Sequence, residues 1–390
     1  MASTPSVVLS FQRRGRPTRR STQHRAMRTA AARGVRLGRL RATRNAFFTC
    51  CASQKHRLVF LGTPDVAATV LQQLHDACAL PTSSCEIAAV ISQPGRPRGR
   101  GRKTRGDAPP SPVAQLAMEL GIEEGSIWTP KSARDEAFLD ALRILEPDLC
   151  ITAAYGNVLP NAFLDIPKRG TVNIHPSLLP KYRGAAPVQR ALEAGDEESG
   201  VTVAFTVQAM DAGPIIAQEK VAVEDHVKAP EFLNHMFDLG TKLLVSHLPT
   251  ILDGTAAESA VPQDEEQATH ASKVTKEEAL LDFGQSALKV HNKVRAFAGW
   301  PGTVANLVVH HQDRNEDTEV LLKVETTKVL GEAGVRTATT NVEVDGDNMR
   351  VVCGDGSVVE LLEVKPPGKR SMTPGAWVRG LRSKCNIRWV

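Results

Sequence analysis

Two polar residues at the end of an apolar run, Asn173 and His175, are the part of the sequence best suited to chemistry. Residues 171–175 predict a β-strand, and because side chains alternate across a strand, both polar side chains project from the same face. Pro176 follows at once and cannot donate the next ladder hydrogen bond, so the chain leaves the sheet there. We therefore expect this pair at the edge where open α/β folds usually build their sites.

Apolar strands that alternate with helical stretches must position this pair. Such alternation is typical of a doubly wound, Rossmann-like α/β domain with a largely parallel sheet. The predicted strands lie at 58–61, 87–91, 149–153, 171–175 and 201–207, and the predicted helices lie near 112–120, 133–145, 161–164, 186–194 and 231–252.

The first helix is predicted to follow the strand 58–61 directly. Pro64 suits the first position of a helix and Thr63 is available as its N-cap. Gly62 in this turn is not part of a Gly-x-Gly-x-x-Gly run, so the turn gives only weak support to a dinucleotide site. The sequence therefore predicts a β-turn-α unit without a nucleotide-binding role.

The second half of the chain has a different pattern. Residues 253–270 are polar and acidic and predict a linker between a first domain at 55–252 and a second at 271–390. After a helix near 286–298, short alternating strands separated by Gly and Asp turns predict a small β-barrel. These strands are expected at 303–309, 320–324, 341–344, 349–352 and 358–364.

Charge is distributed very unevenly along the 390 residues. No Asp or Glu precedes Asp65, whereas fourteen Lys and Arg occur up to Arg57, which leaves 34 basic against 43 acidic residues, a net charge of about −9, for the rest. An Arg-rich segment with Ser and Thr but no acids is typical of a mitochondrial or plastid transit peptide. We expect residues 1–54 to be such a peptide, without fixed structure and cleaved near 50–54. The alternative is a basic nucleic-acid-binding tail.

Several motifs in a fixed order resemble the folate-dependent formyltransferases, and among them the members that formylate methionyl-tRNA. The family signature is an Asn-x-His, then Ser-Leu-Leu-Pro and a distant Asp, all of which stand here, with Asp211 as the last. An isolated Asn-x-His is more often a capped turn than a catalytic pair, but the full set favours catalysis. The further matching motifs are Gly62-Thr63-Pro64-Asp65, Gln93-Pro94, Tyr155-Gly156-Asn157, Arg183-Gly184-Ala185-Ala186-Pro187 and Arg295-Ala296-Phe297.

The resemblance implies a catalytic set of Asn173, His175 and Asp211. The reaction would be attack of an amine on the formyl carbon of 10-formyltetrahydrofolate, and its difficult point is the negative oxygen that forms. A protonated imidazole and a carboxamide can donate hydrogen bonds to that oxygen, each worth roughly 3 to 4 kcal/mol. Asp211 would supply the counter-charge and could receive the proton that the amine loses.

The resemblance also implies which residues hold the two substrates, and an OB-like form for the second domain. Folate contacts are expected from Tyr155, Gly156, Val158, Leu159, Ser177, Leu178, Leu179 and Pro180. Contacts to initiator methionyl-tRNA are expected from Arg183 and from a glycine-rich loop between Gln93 and Asp107 whose cations are Arg96, Arg98, Arg100, Arg102, Lys103 and Arg105. A plain solvated surface loop is the alternative for this charge run. The part of the chain that follows Arg57 is net acidic, however, and needs such a patch to hold a polyanion.

Composition also bears on metal binding and on membrane insertion. Seven scattered cysteines lack metal-ligand spacing, so we expect reduced thiols and no metal. No apolar run approaches the ~18 residues that span a bilayer. The expected protein is a monomer located in the mitochondrion, with a plastid as the alternative. Two other functions stay open: a formyltransferase with a small amine acceptor, and a non-catalytic RNA-binding protein.

Overall fold

The computed structural model describes residues 55–95, 108–330, 337, 339–382 and 384–390. The segment 1–54, predicted to be a transit peptide, and the cations of the predicted basic loop lie outside the described residues.

A seven-stranded sheet in the order β3-β2-β1-β4-β5-β7-β8 organises the first domain. Its first five strands are parallel, whereas β7 and β8 run antiparallel to their neighbours. The predicted Rossmann-like sheet is confirmed, and the added antiparallel pair makes it mixed. The strands are β1 (His56–Gly62), β2 (Cys85–Ile91), β3 (Ile127–Trp128), β4 (Leu149–Ala153), β5 (Thr171–His175), β7 (Glu198–Phe205) and β8 (Ile215–Ala222); the short β6 (Arg183–Gly184) lies outside this sheet.

Helices cover both faces of the sheet, which explains why its central strands are apolar throughout. In β1, Leu58 and Phe60 pack on one side and Val59 and Leu61 on the other, so each face has its own core. No helix in the described ranges is both long and apolar enough to cross a membrane. The helices are α1 (Asp65–Ala79), α2 (Pro112–Glu119), α3 (Glu136–Leu145), α4 (Asn161–Leu164), α5 (Pro187–Ala194), α6 (Ala229–Asp253) and α7 (Thr255–Ser259).

The start of α1 differs from the prediction. Pro64 is the N-cap residue and not the first helical residue, and no side chain caps this end. The Thr63 hydroxyl instead donates to the backbone carbonyl of Tyr155, at 2.8 Å. The prediction of Thr63 as N-cap is therefore wrong, because a partner from the neighbouring β4 loop competes for its hydroxyl.

A six-stranded antiparallel sheet in the order β12-β13-β14-β11-β10-β15 forms the second domain. A bridge between Asn341 and Arg388 brings its two edges together, so the sheet is a nearly closed barrel around its own core, as predicted. Its elements are α8 (Ala287–Ala296), β10 (Thr303–His311), β11 (Glu316–Leu330), β12 (Val342–Asp345), β13 (Asn348–Val352), β14 (Val358–Lys365), α9 (Pro374–Arg379) and β15 (Cys385–Trp389).

The segment 253–270, predicted as a linker, is folded against the first domain. It contains α7 and a 3₁₀ turn at Glu265–Gln267, and it leads into β9 (His270–Ala271), which pairs in parallel with β6. Val261 also bridges Ile215 at the start of β8. The polar composition predicted a linker between the domains, and backbone pairing with β6 and β8 holds this connector against the first domain.

Candidate active site

Asn173 lies at the carboxyl end of β5, where its neighbour β4 fixes its side chain. Thr152 of β4 is in register with Asn173, and its hydroxyl donates to Asn173 Oδ1 at 2.8 Å. Because the amide oxygen is occupied in this way, the amide nitrogen turns to the other side. Asn173 Nδ2 lies 3.4 Å from Asp211 Oδ1. The Asn173 side chain thus directs its N–H groups, and not its oxygen, toward Asp211.

His175, two residues further along, is buried with only 4% of its side chain exposed. Its Nε2 atom lies 2.9 Å from the backbone carbonyl oxygen of Tyr182. A carbonyl only accepts hydrogen bonds, so Nε2 carries the hydrogen. The other ring nitrogen, Nδ1, faces Asp211 Oδ2 at 3.7 Å. This nitrogen is therefore the one left for proton exchange.

Asp211 lies in the loop between β7 and β8 and completes the cluster. Its backbone has a φ of 52°, the left-handed region that L residues with side chains rarely adopt. Its Oδ2 accepts a hydrogen bond from the backbone nitrogen of Gly184, at 2.9 Å. The loop is tightly packed at Gly213, where a Cβ atom would lie 1.8 Å from the carbonyl oxygen of Phe205.

The three predicted catalytic side chains are therefore neighbours. Asp211 contacts Asn173 through one carboxylate oxygen and faces His175 through the other. All three line one cavity. The structure therefore brings the Asn173 amide, the His175 ring and the Asp211 carboxylate together at one wall of an accessible cavity, and their catalytic role stays a prediction.

This cavity has a volume of about 630 Å³ and a largely apolar wall. Four of the predicted folate contacts, Tyr155, Gly156, Val158 and Leu159, line it. It also contains buried polar atoms without a hydrogen-bond partner, namely Tyr155 Oη, Asn157 Nδ2 and Thr206 Oγ1. Since a buried polar atom without a partner is costly, these atoms are suited to a ligand with polar groups.

The other four predicted folate contacts, Ser177, Leu178, Leu179 and Pro180, are not among the cavity-lining residues. Leu179 is buried, and its backbone nitrogen and carbonyl bond to Thr202 and Gln218 of the antiparallel strands. The Leu178 side chain packs where a Cβ atom at Gly200 would lie. This loop packs on β7 and β8, and its contact with folate stays a prediction.

Arg183, predicted to contact transfer RNA, is 5% exposed. Its two terminal nitrogens each donate to one carboxylate oxygen of Glu265, both at 2.8 Å. Its Nε donates to Gln263 Oε1 at 3.0 Å. Three of its five N–H groups are thus bound to the connector, and its contact with transfer RNA stays a prediction.

Four features of the site were missing from the sequence interpretation: Thr152, the Tyr182 carbonyl, the Gly184 nitrogen and Gln263. Thr152 left a signal, since it is a hydroxyl in an otherwise apolar strand end. The two backbone groups left none, because their role depends on how the loop turns. Gln263 was missed because it lies in a segment that was predicted to be a linker.

Across the ranges that the structure describes, no cluster of three or more His, Cys, Asp or Glu could hold a metal ion.

Comparison with known families agrees with both domains. Residues 56–248 match the family described as Formyl transferase, and residues 273–382 match Formyl transferase, C-terminal domain. A methionyl-tRNA formyltransferase of Moorella thermoacetica is 37% identical over 324 residues, which are 83% of this chain and 96% of the relative. A methionyl-tRNA formyltransferase of Clostridioides difficile is 34% identical, also over 83% of this chain and 96% of the relative.

Solved structures with the same fold are more distant in sequence. An N-formyltransferase of Helicobacter canadensis, in complex with folinic acid and dTDP-3-aminofucose, superposes with a TM-score of 0.54 at 16% identity, over 78% of this chain and 98% of that one. A sugar 3N-formyltransferase, WlaRD, gives 0.53 at 16% identity, over 81% and 99%. At such identities the likeness concerns the fold alone.

Proposed function

The chain belongs to the methionyl-tRNA formyltransferase family, and we propose that it transfers the formyl group of 10-formyltetrahydrofolate to the α-amino group of initiator methionyl-tRNA. The observation that carries the proposal is the convergence of Asn173, His175 and Asp211 on one cavity. An intact cluster of this kind argues against a non-catalytic RNA-binding protein.

The residues divide the chemistry between them. An α-amino group titrates near ~8, so a useful fraction is neutral at working pH and can attack the formyl carbon. The formyl oxygen then gains negative charge. Asn173 Nδ2, held outward by the bond from Thr152 to its oxygen, is the donor oriented in advance for that charge. Such a fixed donor needs no reorganisation when the charge develops.

Asp211 and His175 handle the proton and the charge balance. Nδ1 of His175 lies 3.7 Å from Oδ2 of Asp211, so the two side chains form a pair at the cavity wall. The same carboxylate lies within the cavity wall and can receive the proton of the attacking amine, directly or through a water molecule. When the tetrahedral adduct collapses, the bond between the formyl carbon and N10 of the folate breaks, and the carboxylate can return that proton to N10. A proton therefore has a path from the amine to Asp211 without crossing the apolar wall.

The donor substrate fits the chemistry of the cavity. A pterin ring is flat and edged with hydrogen-bonding groups. The apolar wall at Val158 and Leu159 suits its faces, and the unpartnered Asn157 Nδ2 and Thr206 Oγ1 suit its edges. We therefore assign this cavity to the folate. The remote part of the folate would extend toward the opening, where Val158 is 62% exposed.

The acceptor is proposed to be a transfer RNA because the relatives that align over 96% of their own length are named methionyl-tRNA formyltransferases. The six cations between Arg96 and Arg105 supply the concentrated positive charge that the net acidic part of the chain, from residue 58 onward, needs to bind a polyanion. A small amine acceptor is the competing possibility. The protein is proposed to act as a monomer.

One assay separates these functions. The chain from residue 53 onward is incubated with 10-formyltetrahydrofolate and charged initiator transfer RNA, and separately with an amino sugar nucleotide and with glycinamide ribotide. Formylation of the transfer RNA alone is expected. Formylation of a small amine in preference would replace the proposal, and no formylation of any acceptor would refute it.

The location of the protein is a separate proposal. We propose import into an organelle, which is the mitochondrion, with a plastid as the alternative. The Arg-rich, acid-free composition of residues 1–54 supports it. The N-terminal sequence of the protein isolated from its own cells is the test. A mature chain that begins near residues 50–54 is expected, whereas one that keeps Met1 to Arg44 would contradict import.

A further inference from the structure

The side chain of Gln263, in the connector between the domains, reaches the loop that carries Asp211. Its Nε2 donates to the backbone carbonyl of Asp211 at 2.8 Å and to that of Gly213 at 2.7 Å. A primary amide has two N–H groups, so one side chain satisfies both carbonyls. Gln263 thus ties the backbone on both sides of Ala212.

The side chain of Gln263 is itself held in place by Arg183. Its Oε1 accepts from Nε of Arg183, and the rest of that guanidinium is paired with Glu265. A guanidinium is a rigid, planar fork, so an acceptor bound to it has little freedom to rotate. The amide nitrogen is consequently held facing the Asp211 loop. The connector supplies Gln263 and Glu265, and β6 supplies Arg183.

The same connector holds the backbone that orients His175 and Asp211. Thr269 Oγ1 accepts from the backbone nitrogen of Tyr182 at 2.8 Å, and β9 pairs with β6. Tyr182 presents its carbonyl to His175, and Gly184 presents its nitrogen to Asp211. Gly184 must be glycine here, since a Cβ atom would lie 2.7 Å from the carbonyl oxygen of Ala271.

Asp211 needs such support because of its backbone. Its φ of 52° lies in the left-handed region, which side-chain-bearing residues adopt far less readily than glycine and keep where the surroundings determine it. Without the two bonds from Gln263, the loop can relax toward ordinary backbone angles. That relaxation would move the carboxylate away from Asn173 and His175.

We propose that Gln263 is a positioning residue: it acts through Asp211, and it makes the connector between the domains part of the active site. The proposal rests on the proposed function, because its effect is measured on formyl transfer. The wild-type chain is the reference. Absence of formylation by the wild type would refute the proposed function, whereas normal formylation by the Gln263 variants beside an active wild type would refute the positioning role.

Two substitutions isolate the amide hydrogens. Gln263→Glu keeps an oxygen for Arg183 but replaces the donor with a second oxygen, and Gln263→Met keeps the length without polar atoms. Each is expected to lower kcat about 10- to 100-fold, since a displacement of the order of 1 Å can cost 10²-fold, while KM for both substrates stays within about twofold. The matched control is Gln267→Glu, the same change on the same connector, where the exposed amide bonds to Asp264. It should leave kcat unchanged.

A double-mutant cycle shows whether Gln263 acts through Asp211. In an Asp211→Asn background, Gln263→Glu should lower the residual kcat by less than about threefold, because the group it positions is already disabled. An unchanged kcat in Gln263→Glu and in Gln263→Met would overturn the proposal. Equal losses with and without Asp211, or a KM that rises with a large fall in melting temperature, would also overturn it, since both indicate a purely structural role.

Discussion

Nε2 of His175 donates to the backbone carbonyl of Tyr182 at 2.9 Å, so the ring is anchored by one nitrogen and presents the other, Nδ1, to Asp211. This arrangement decides which atom of the imidazole takes part in chemistry. An anchored ring cannot rotate to offer Nε2 to a substrate without losing a buried hydrogen bond. The proton therefore enters or leaves His175 at the side of Asp211.

Replacement of either partner should stop the reaction without unfolding the protein. His175→Ala and Asp211→Asn are each expected to reduce kcat for formylation by at least about 100-fold, because a donor or proton acceptor is lost. Initial rates with saturating folate and transfer RNA give the loss, and circular dichroism with thermal melting checks the fold. Near-normal turnover in a folded variant would contradict the catalytic assignment.

Thr152→Val tests the orientation of the Asn173 amide. Valine has a similar shape but no hydroxyl, so the bond to Asn173 Oδ1 disappears and the amide can turn over. We expect kcat to fall about tenfold, a loss of about 1.4 kcal/mol of transition-state stabilisation, with KM little changed. Steady-state kinetics of the purified variant measure this.

The neighbouring strand offers a matched control for that change. Thr171 is also buried at the sheet, but its hydroxyl has no hydrogen-bond partner. Thr171→Val should therefore leave kcat unchanged and keep or raise the melting temperature, because a buried unsatisfied hydroxyl is removed. If both variants lose activity equally, packing of the sheet and not the amide orientation is responsible.

Loss of charge in the loop should weaken transfer-RNA binding in a salt-dependent way. Alanine at Arg96, Arg100 and Lys103 is expected to flatten the plot of log affinity against log salt concentration by roughly 0.7 to 0.9 for each lost phosphate contact. Filter binding or fluorescence titration at several salt concentrations measures the slope.

A charge-matched variant separates local contacts from net charge. Lys131, Arg134 and Arg143 are exposed and lie near α3. Their replacement by alanine removes the same charge and should leave the slope nearly unchanged. Equal slopes in the two triple variants would show that the loop has no particular part in binding.

The contact between Arg190 and Glu278 should make stability depend on pH. Arg190 of α5 donates to both oxygens of Glu278, which holds the pKa of that carboxylate below its usual 4.5. A lowered pKa stabilises the fold above the unfolded value, and this contribution is lost as the pH falls through the folded value. Because the two side chains are 16% and 33% exposed, we expect only about 0.5 to 1 kcal/mol.

Urea unfolding between pH 3 and 7 measures that contribution. Glu278→Gln should be less stable than the wild type above about pH 5, and the difference should shrink toward pH 3. The same substitution at the exposed Glu123 should give a curve parallel to that of the wild type at every pH. A difference for Glu278→Gln that does not vary with pH would point to lost packing instead of lost charge pairing.

Much of the scaffold follows from local patterns. The boundaries of β4 and β5 coincide with the predicted ones. In β4 the buried residues are almost all apolar, whereas in β5 the proline that follows His175 marks the end of the strand. The strand β8 was missed, since its exposed and half-buried residues give no clear alternation. The cap of α1 was wrong because a tertiary partner outweighed the local preference of Thr63.

By itself the sequence determined the chemistry: which residue types stand at the ends of which strands, and hence that Asn173 and His175 share a face. Only the tertiary structure decided how they are held. The carbonyl of Tyr182, the nitrogen of Gly184 and the amide of Gln263 come from loops far apart in the chain or from backbone atoms that every residue has. Their contributions depend on chain direction and close approach, which residue type does not encode, so they become visible only when the connector is seen folded onto the site.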